Sequence, residues 1–341
     1  MWDASKCDLC GDCLIKCRYV DYDKNKAASE IKLLMEGKEA DILNKCITCN
    51  ACFQYCPTGA DPANLIYKMQ EKMRSPISVG FKPFIDSVIK AFEQGSRDVQ
   101  VIEGDPDKPA LSFDSFPFNQ FPAGTLESKI FKGMTVVRGR KYASLVGMVH
   151  MGGESLAERY GQRVINSLAE LGKDIVYIHN EGYILAHIKA RELGIDVPYR
   201  YMHLFEYICD YLKNNQNDIR RLNKKIAYQP NCAVRWFPQQ NVWLNQIFDL
   251  IGVECVSRKY EDVNALCCGG PALFVNRELA MNIQIDNIKD AKDNHAEAII
   301  TICPMCDMVM SEETAKAGLP KIFITDLCRM ALGEVSWPVN S

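Results

Sequence analysis

Apolar side chains recur along this chain with two different periods, and the change between them divides it. In the first hundred residues the period is helical. Ile31, Leu34 and Met35 fall at i, i+3 and i+4 and predict an amphipathic helix. Asp61-Pro62 offers an N-cap followed by proline at the first helical position, and Leu65, Met69 and Met73 continue along one face. Phe84, Val88, Ile89 and Phe92 predict one further helix. Residues 98–125 break the pattern, because Pro106, Pro109, Pro117 and Pro122 exclude a regular helix. The four phenylalanines from Phe113 to Phe121 predict an extended segment that lays its aromatics across the next domain, with a partner-docking strap as the competing reading. From about residue 140, short apolar runs at 142–149, 174–178, 225–229, 253–256 and 298–302 read as strands. Helices at 155–171 and 241–250 alternate with them, stopped by Gly172 and near Gly252. Such alternation predicts parallel α/β units.

The later half repeats within itself. Cys267-Cys268-Gly269-Gly270, a helix, a strand, Cys303-Pro304-Met305-Cys306, a helix and Leu319-Pro320 follow one another. Earlier, His150-Met151-Gly152-Gly153, a helix, a strand, His179-Asn180-Glu181-Gly182, a helix and Val197-Pro198 run in the same order, with Leu204 matched to Leu327. The cysteines of the later unit have no cysteine counterparts in the earlier one.

Across 341 residues, 48% hydrophobic with a net charge of −3, the chain can bury substantial cores and shows no basic footprint for nucleic acid. No apolar run is long enough to span a bilayer, and the N-terminus has neither a basic n-region nor an apolar h-region. The expectation is a cytoplasmic protein that reaches a membrane only through a partner. Its 16 cysteines, clustered in short CxxC runs, read as metal binding in a reducing compartment and not as a disulfide framework.

Cys7, Cys10, Cys13 and Cys17 form C-x2-C-x2-C-x3-C; Cys46, Cys49, Cys52 and Cys56 repeat it, followed by Pro57. Three thiolates on one tight loop hold three corners of a [4Fe–4S] cube, and in two-cluster ferredoxins the fourth cysteine of each run serves the other cluster. Cys7, Cys10, Cys13 and Cys56 are therefore assigned to one cluster, and Cys46, Cys49, Cys52 and Cys17 to the second. Zinc is the competing ligand reading. Arg18 stands where proline would follow Cys17. The helical texture makes this unit similar to the α-helical ferredoxin modules of succinate dehydrogenases and of the C-type component of heterodisulfide reductase.

A second system comprises Cys232, Cys267, Cys268, Cys303 and Cys306, each just past a predicted strand, where parallel sheets gather ligands. Gly269-Gly270 supplies the sharp turn that adjacent cysteines need. This C…CCG…CxxC pattern resembles the CCG motif of the heterodisulfide reductase B/D family, shared with iron–sulphur subunits of glycolate oxidase and anaerobic glycerol-3-phosphate dehydrogenase. The whole resembles the D-type arrangement, a fusion of the C-type and B-type components. That resemblance implies a helical two-cluster ferredoxin domain (1–97), a Pro/Phe-rich linker (98–139), a degenerate CCG-type unit (140–223) and an intact CCG unit (224–341). It implies that the five later cysteines hold a third [4Fe–4S] centre, cubane or non-cubane.

Cys209, Cys255 and Cys328 remain, and read as buried packing thiols. Four of the five histidines fall in the degenerate unit. His150, His179 and His203, with Glu181, are either a replacement metal site or ordinary pocket and element-end residues. Two functions stay open. One is an electron-transferring subunit of an oxidoreductase, working with a flavoprotein or a membrane quinone-reactive subunit, since no Rossmann fingerprint is present. The other is a disulfide or thiol reductase in which Cys267 and Cys268 are catalytic.

Overall fold

The structure is a computed structural model that describes residues 1–338. The N-terminal part is helical, as the spacing predicts. Lys24–Met35 is capped by the Asp23 side chain on the Lys26 N–H and buries Ala27, Ile31 and Leu34. Asp61 caps Pro62–Lys72 through the Asn64 N–H at 3.1 Å. Pro76–Gln94, with Pro83 inside it, then carries the chain across to the second part.

Among the described residues, nine strands follow in two sheets. The first runs in the order β1 (Gln100–Ile102), β3 (Thr135–Arg138), β2 (Ala110–Ser112), β4 (Ile175–Tyr177), β5 (Tyr201–His203); the second runs β7 (Val253–Cys255), β6 (Lys224–Gln229), β8 (Ala298–Thr301), β9 (Lys321–Phe323). All pairings are parallel except β1 with β3, so helices must make the crossovers. Without β1 the two sheets have the same order, β2 answering β6, β3 answering β7, β4 answering β8 and β5 answering β9. The repeat is thus a repeat of topology.

Three expectations change. The stretch 98–139 is no linker: it supplies β1, β2 and β3, including the strand that begins the first repeat. Proline hid them because it excludes helices but not three-residue strands. Its phenylalanines do pack as expected, Phe113 against Phe118 and Phe121, in the core beneath the strands. The run 142–149 is not a strand but 3₁₀ turns, Arg140–Tyr142 and Val146–Met151, whose apolar residues line a buried loop. The end of the repeat also shifts. His203 lies opposite Tyr177 as Phe323 lies opposite Thr301, so Arg200, not Pro198, answers Pro320.

One core joins the two units. Leu111, Val136 and Val176 of the first sheet and Ile226, Ile300 and Ile322 of the second belong to the same buried cluster, with the helices Leu204–Asn214 and Gln240–Ile251 between them. Among the described residues no helix is long and apolar enough to cross a membrane.

Candidate functional site

The two N-terminal cysteine loops share one backbone. Leu9 and Gly11 in the first, and Thr48 and Asn50 in the second, all have positive φ, from 56° to 79°, at matching places between the cysteines. For Leu and the β-branched Thr this conformation is unfavourable by about 1–2 kcal/mol each. It curls each loop so that amides face sulphur, the Thr48 N–H donating to Cys46 Sγ at 3.3 Å. The thiols group across the runs. Cys13 feels Cys56, Cys10 and Cys7, and those four line one small cavity. Cys17 acts on Cys46, Cys49 and Cys52. Burial pushes Cys13 and Cys46 up to about 12, so as bare thiols they stay protonated. Thiols crowded in this way ionise when a metal centre supplies the positive charge. The donor set and the preformed loops fit iron–sulphur clusters.

The groups form a series. Cys13 lies close enough to raise Cys52. At the other side of the second group, Cys49 acts on Cys232 and on Cys267. Between them sits Tyr19, half-buried, its hydroxyl accepting the Cys267 N–H at 3.2 Å. Asn50 Nδ2 donates to the Cys232 carbonyl at 3.1 Å, and Arg235 donates to Gln54. The helical part is thus docked by its cluster loops against the α/β part.

In the second unit the five cysteines converge at strand ends, as their positions predict. Their side chains interact in succession, Cys232 with Cys267, Cys267 with Cys268, Cys268 with Cys306, and Cys306 with Cys303. Gly269 permits this crowding: its φ is +82°, and a Cβ there would lie 2.9 Å from the Ala280 carbonyl oxygen. Gly152 has the same hand (φ +72°), so the turn survives where the cysteines do not. Hydrogen bonding from Cys306 brings Cys303 down to about 6 against the push of burial, with the His179 ring helping at 3.7 Å from its sulphur. Five such thiols fit a cluster as donors.

A cavity of about 280 Å³ opens on this group. Cys232, Cys268, Cys303 and Cys306 form one end; Asp114, Ser115, His150, Met151, His179 and Glu181 form the facing wall, from the cysteine-poor unit. Since Ser112 answers Gln229 in strand register, Ser115 stands where the second unit has Cys232. That position was missed because β2 lay in the supposed linker. Cys267 does not line the cavity.

The three histidines do not form one metal site. His203 uses both nitrogens: Nδ1 accepts the Phe205 N–H at 3.1 Å and Nε2 contacts Asn180 Oδ1 at 2.9 Å. Burial holds it down at about 3. His179 lies 2.7 Å from Glu181 and 3.7 Å from Asp114; burial works against its protonation, yet those carboxylates hold it well above the usual imidazole range. His150 is fixed by Thr48 Oγ1 at 2.9 Å, and burial pulls it down. Among the described residues no group of three or more His, Cys, Asp or Glu gathers around a single ion. Cys209 and Cys328 are buried as expected, whereas Cys255 is exposed, because β7 is an edge strand.

Parallel sheets that gather five cysteines at their strand ends define an iron–sulphur redox protein of the CCG class, and residues 226–311 match the cysteine-rich domain family CCG. Beyond that domain, the chain is similar along most of its length to a heterodisulfide reductase polypeptide of the D type. It is 21% identical over 328 residues to the D-type polypeptide of the dihydromethanophenazine:CoB–CoM heterodisulfide reductase of Methanosarcina barkeri, covering 86% of this chain and 78% of that one. It is 26% identical to the corresponding Methanosarcina acetivorans polypeptide over 152 residues, 42% of this chain and 36% of the relative. Its fold is similar to that of a hypothetical protein from Helicobacter pylori, with a TM-score of 0.56 and 14% identity, over 92% of this chain and 66% of that one.

Proposed function

We propose that this chain is the iron–sulphur electron-transfer subunit of a multi-subunit oxidoreductase. Cys7, Cys10, Cys13 and Cys56 would hold one [4Fe–4S] cluster, Cys46, Cys49, Cys52 and Cys17 a second, and Cys232, Cys267, Cys268, Cys303 and Cys306 a third [4Fe–4S] centre. Bound there, such clusters supply one-electron transfer. What carries the reading is the unbroken series of thiol groups, Cys13 beside Cys52 and Cys49 beside Cys267, with Tyr19 filling the last gap. The protein's own contribution is to seat the three groups in contact and to shield them in part from water, since Cys46, Cys49 and Cys52 are half-buried. A flavoprotein or a membrane quinone-reactive subunit, meeting this chain in the cytoplasm, would complete the circuit.

The test is iron content with EPR and Mössbauer spectra of anaerobically purified protein. Cys17→Ser should alter the centre of the second run, and Cys56→Ser that of the first. Iron-free protein would refute the reading, and effects confined to each run would refute the crossed assignment.

The cavity favours a second reading, in which the third centre reduces a disulfide or thiol substrate. There Cys268, which lines the cavity, is the position to change, more than Cys267. A thiol-perturbed EPR signal that disappears in Cys268→Ser would support catalysis; a signal indifferent to thiols would exclude it.

A further inference from the structure

The cavity between the two units has a chemical bias that its location alone does not give. Among the described residues no lysine or arginine lines it, whereas two carboxylates, Asp114 and Glu181, do. Both are buried, and both lean on the same base, His179. The thiols at the opposite end add further negative charge once they act as thiolate ligands. An anionic ligand entering this space would shed its hydration and find no cationic group except the His179 ring, which both carboxylates already engage, and that is unfavourable in proportion to the ligand's burial.

The rest of the lining is apolar. Phe81, Phe84 and Phe274 stand at the mouth, the rings of Phe81 and Phe274 4.3 Å apart, and Phe116, Met148 and Met305 lie further in. Apart from the His179 ion pairs, two polar donors of the lining are left open, Asn231 Nδ2, next to Cys232 in the chain and so at the cysteine end, and the ring of His150 at the ligand end. His150 Nε2 is buried without a hydrogen-bond partner, while its Nδ1 is held by Thr48. With the Thr48 hydroxyl donating to Nδ1, Nε2 carries the proton and can donate to an acceptor on a ligand.

We propose that this cavity binds an uncharged small molecule with an apolar body and one hydrogen-bond-accepting group, met by His150 Nε2, and that it turns away anionic thiols, disulfides and carboxylates. The inference rests on the electron-transfer reading and its third centre, since the cluster would take the cysteine end and leave the ligand the end between His150 and the phenylalanines.

The experiment uses the anaerobic, iron-loaded full chain and two probes of nearly equal shape, acetophenone and benzoate, which differ in charge. Saturation-transfer NMR gives their relative affinities. Acetophenone should bind at least about 10-fold more tightly, a difference of about 1.4 kcal/mol. Glu181→Gln should raise benzoate binding several-fold. Because that change also removes the His179 ion pair, Phe84→Lys provides a second arm at a half-exposed rim position, and it too should draw benzoate in. Benzoate binding as well as acetophenone, or acetophenone failing to bind to protein with full iron content, would overturn the proposal while leaving the electron-transfer reading intact. Protein that takes up no iron would instead overturn the reading on which the proposal stands.

Discussion

Replacing Gly269 by alanine probes how the adjacent cysteines are held. Two terms add. An L-residue in the left-handed region costs about 1–2 kcal/mol. The new methyl would also stand 2.9 Å from the Ala280 carbonyl oxygen and 3.2 Å from Gln284 Nε2. The first neighbour is helix backbone and cannot swing aside, so roughly 1–3 kcal/mol of overpacking is added. Gly194→Ala isolates the first term, since Gly194 has φ +68° and nothing within 4 Å of its would-be Cβ. Any gain from a stiffer unfolded chain is common to both variants. The difference between them therefore measures the clash. Followed anaerobically by far-UV circular dichroism, Gly269→Ala should melt several degrees below Gly194→Ala, at roughly 2–4 °C per kcal/mol. It should also disturb the third centre's absorbance, which Gly194→Ala should leave alone. Equal melting temperatures with an unaltered third centre would refute the argument that this turn is closed by the Arg277–Asp293 helix.

Other outcomes follow from the same geometry. Phe113→Ala, emptying a fully buried site among Phe118 and Phe121, should cost about 3–5 kcal/mol in denaturant unfolding, and a loss under about 1 kcal/mol would mean that the 98–139 stretch is a loose strap after all. Asp61→Ala removes a cap and should cost about 1 kcal/mol, with helix fraying visible by hydrogen exchange at Asn64. His203 is neutral when folded, with burial holding it at about 3, and protonates near ~6.5 when unfolded. Between those values the unfolded chain binds the extra proton, so this contribution is complete above about 6.5 and falls away as the pH drops toward 3. His203→Asn, which keeps a cap acceptor for the Phe205 N–H, should flatten the acid limb of the stability profile; an unchanged limb would show that other groups govern it.

The cysteine motifs were the most legible part of the chain, because metal-ligand spacing is a local property. The proposed crossing of Cys17 and Cys56 comes from the register of two runs; in the structure Cys56 lies near Cys13, and Cys17 near Cys52. The strands of the second unit were also legible, since β8 is a continuous buried run and β6 is buried at Ile226, Ala227 and Gln229. The strands of the first unit were less so. Its opening strand is three residues long inside a proline-rich stretch, and its register comes from pairing with β3 and β4, which no local pattern reveals. Ser115 was hidden for that reason. The run 142–149 misled in the opposite direction, because a buried loop and a buried strand are equally apolar. The histidines were grouped by their place in a repeat, but His203 caps a helix.

The shared core sets a limit on how such a molecule can be shortened. The cysteine-poor unit holds Leu111, Val136 and Val176 in the same cluster as Ile226 and Ile300 of its neighbour. Its side of the cavity carries serine, histidine and methionine where the other side carries cysteine. Its strands could not be discarded, because their removal would uncover the inner face of the other half. A chain of this architecture with one cysteine centre must still fold both halves, and the wall without cysteines is the place where ligand chemistry can vary without disturbing the cysteines opposite.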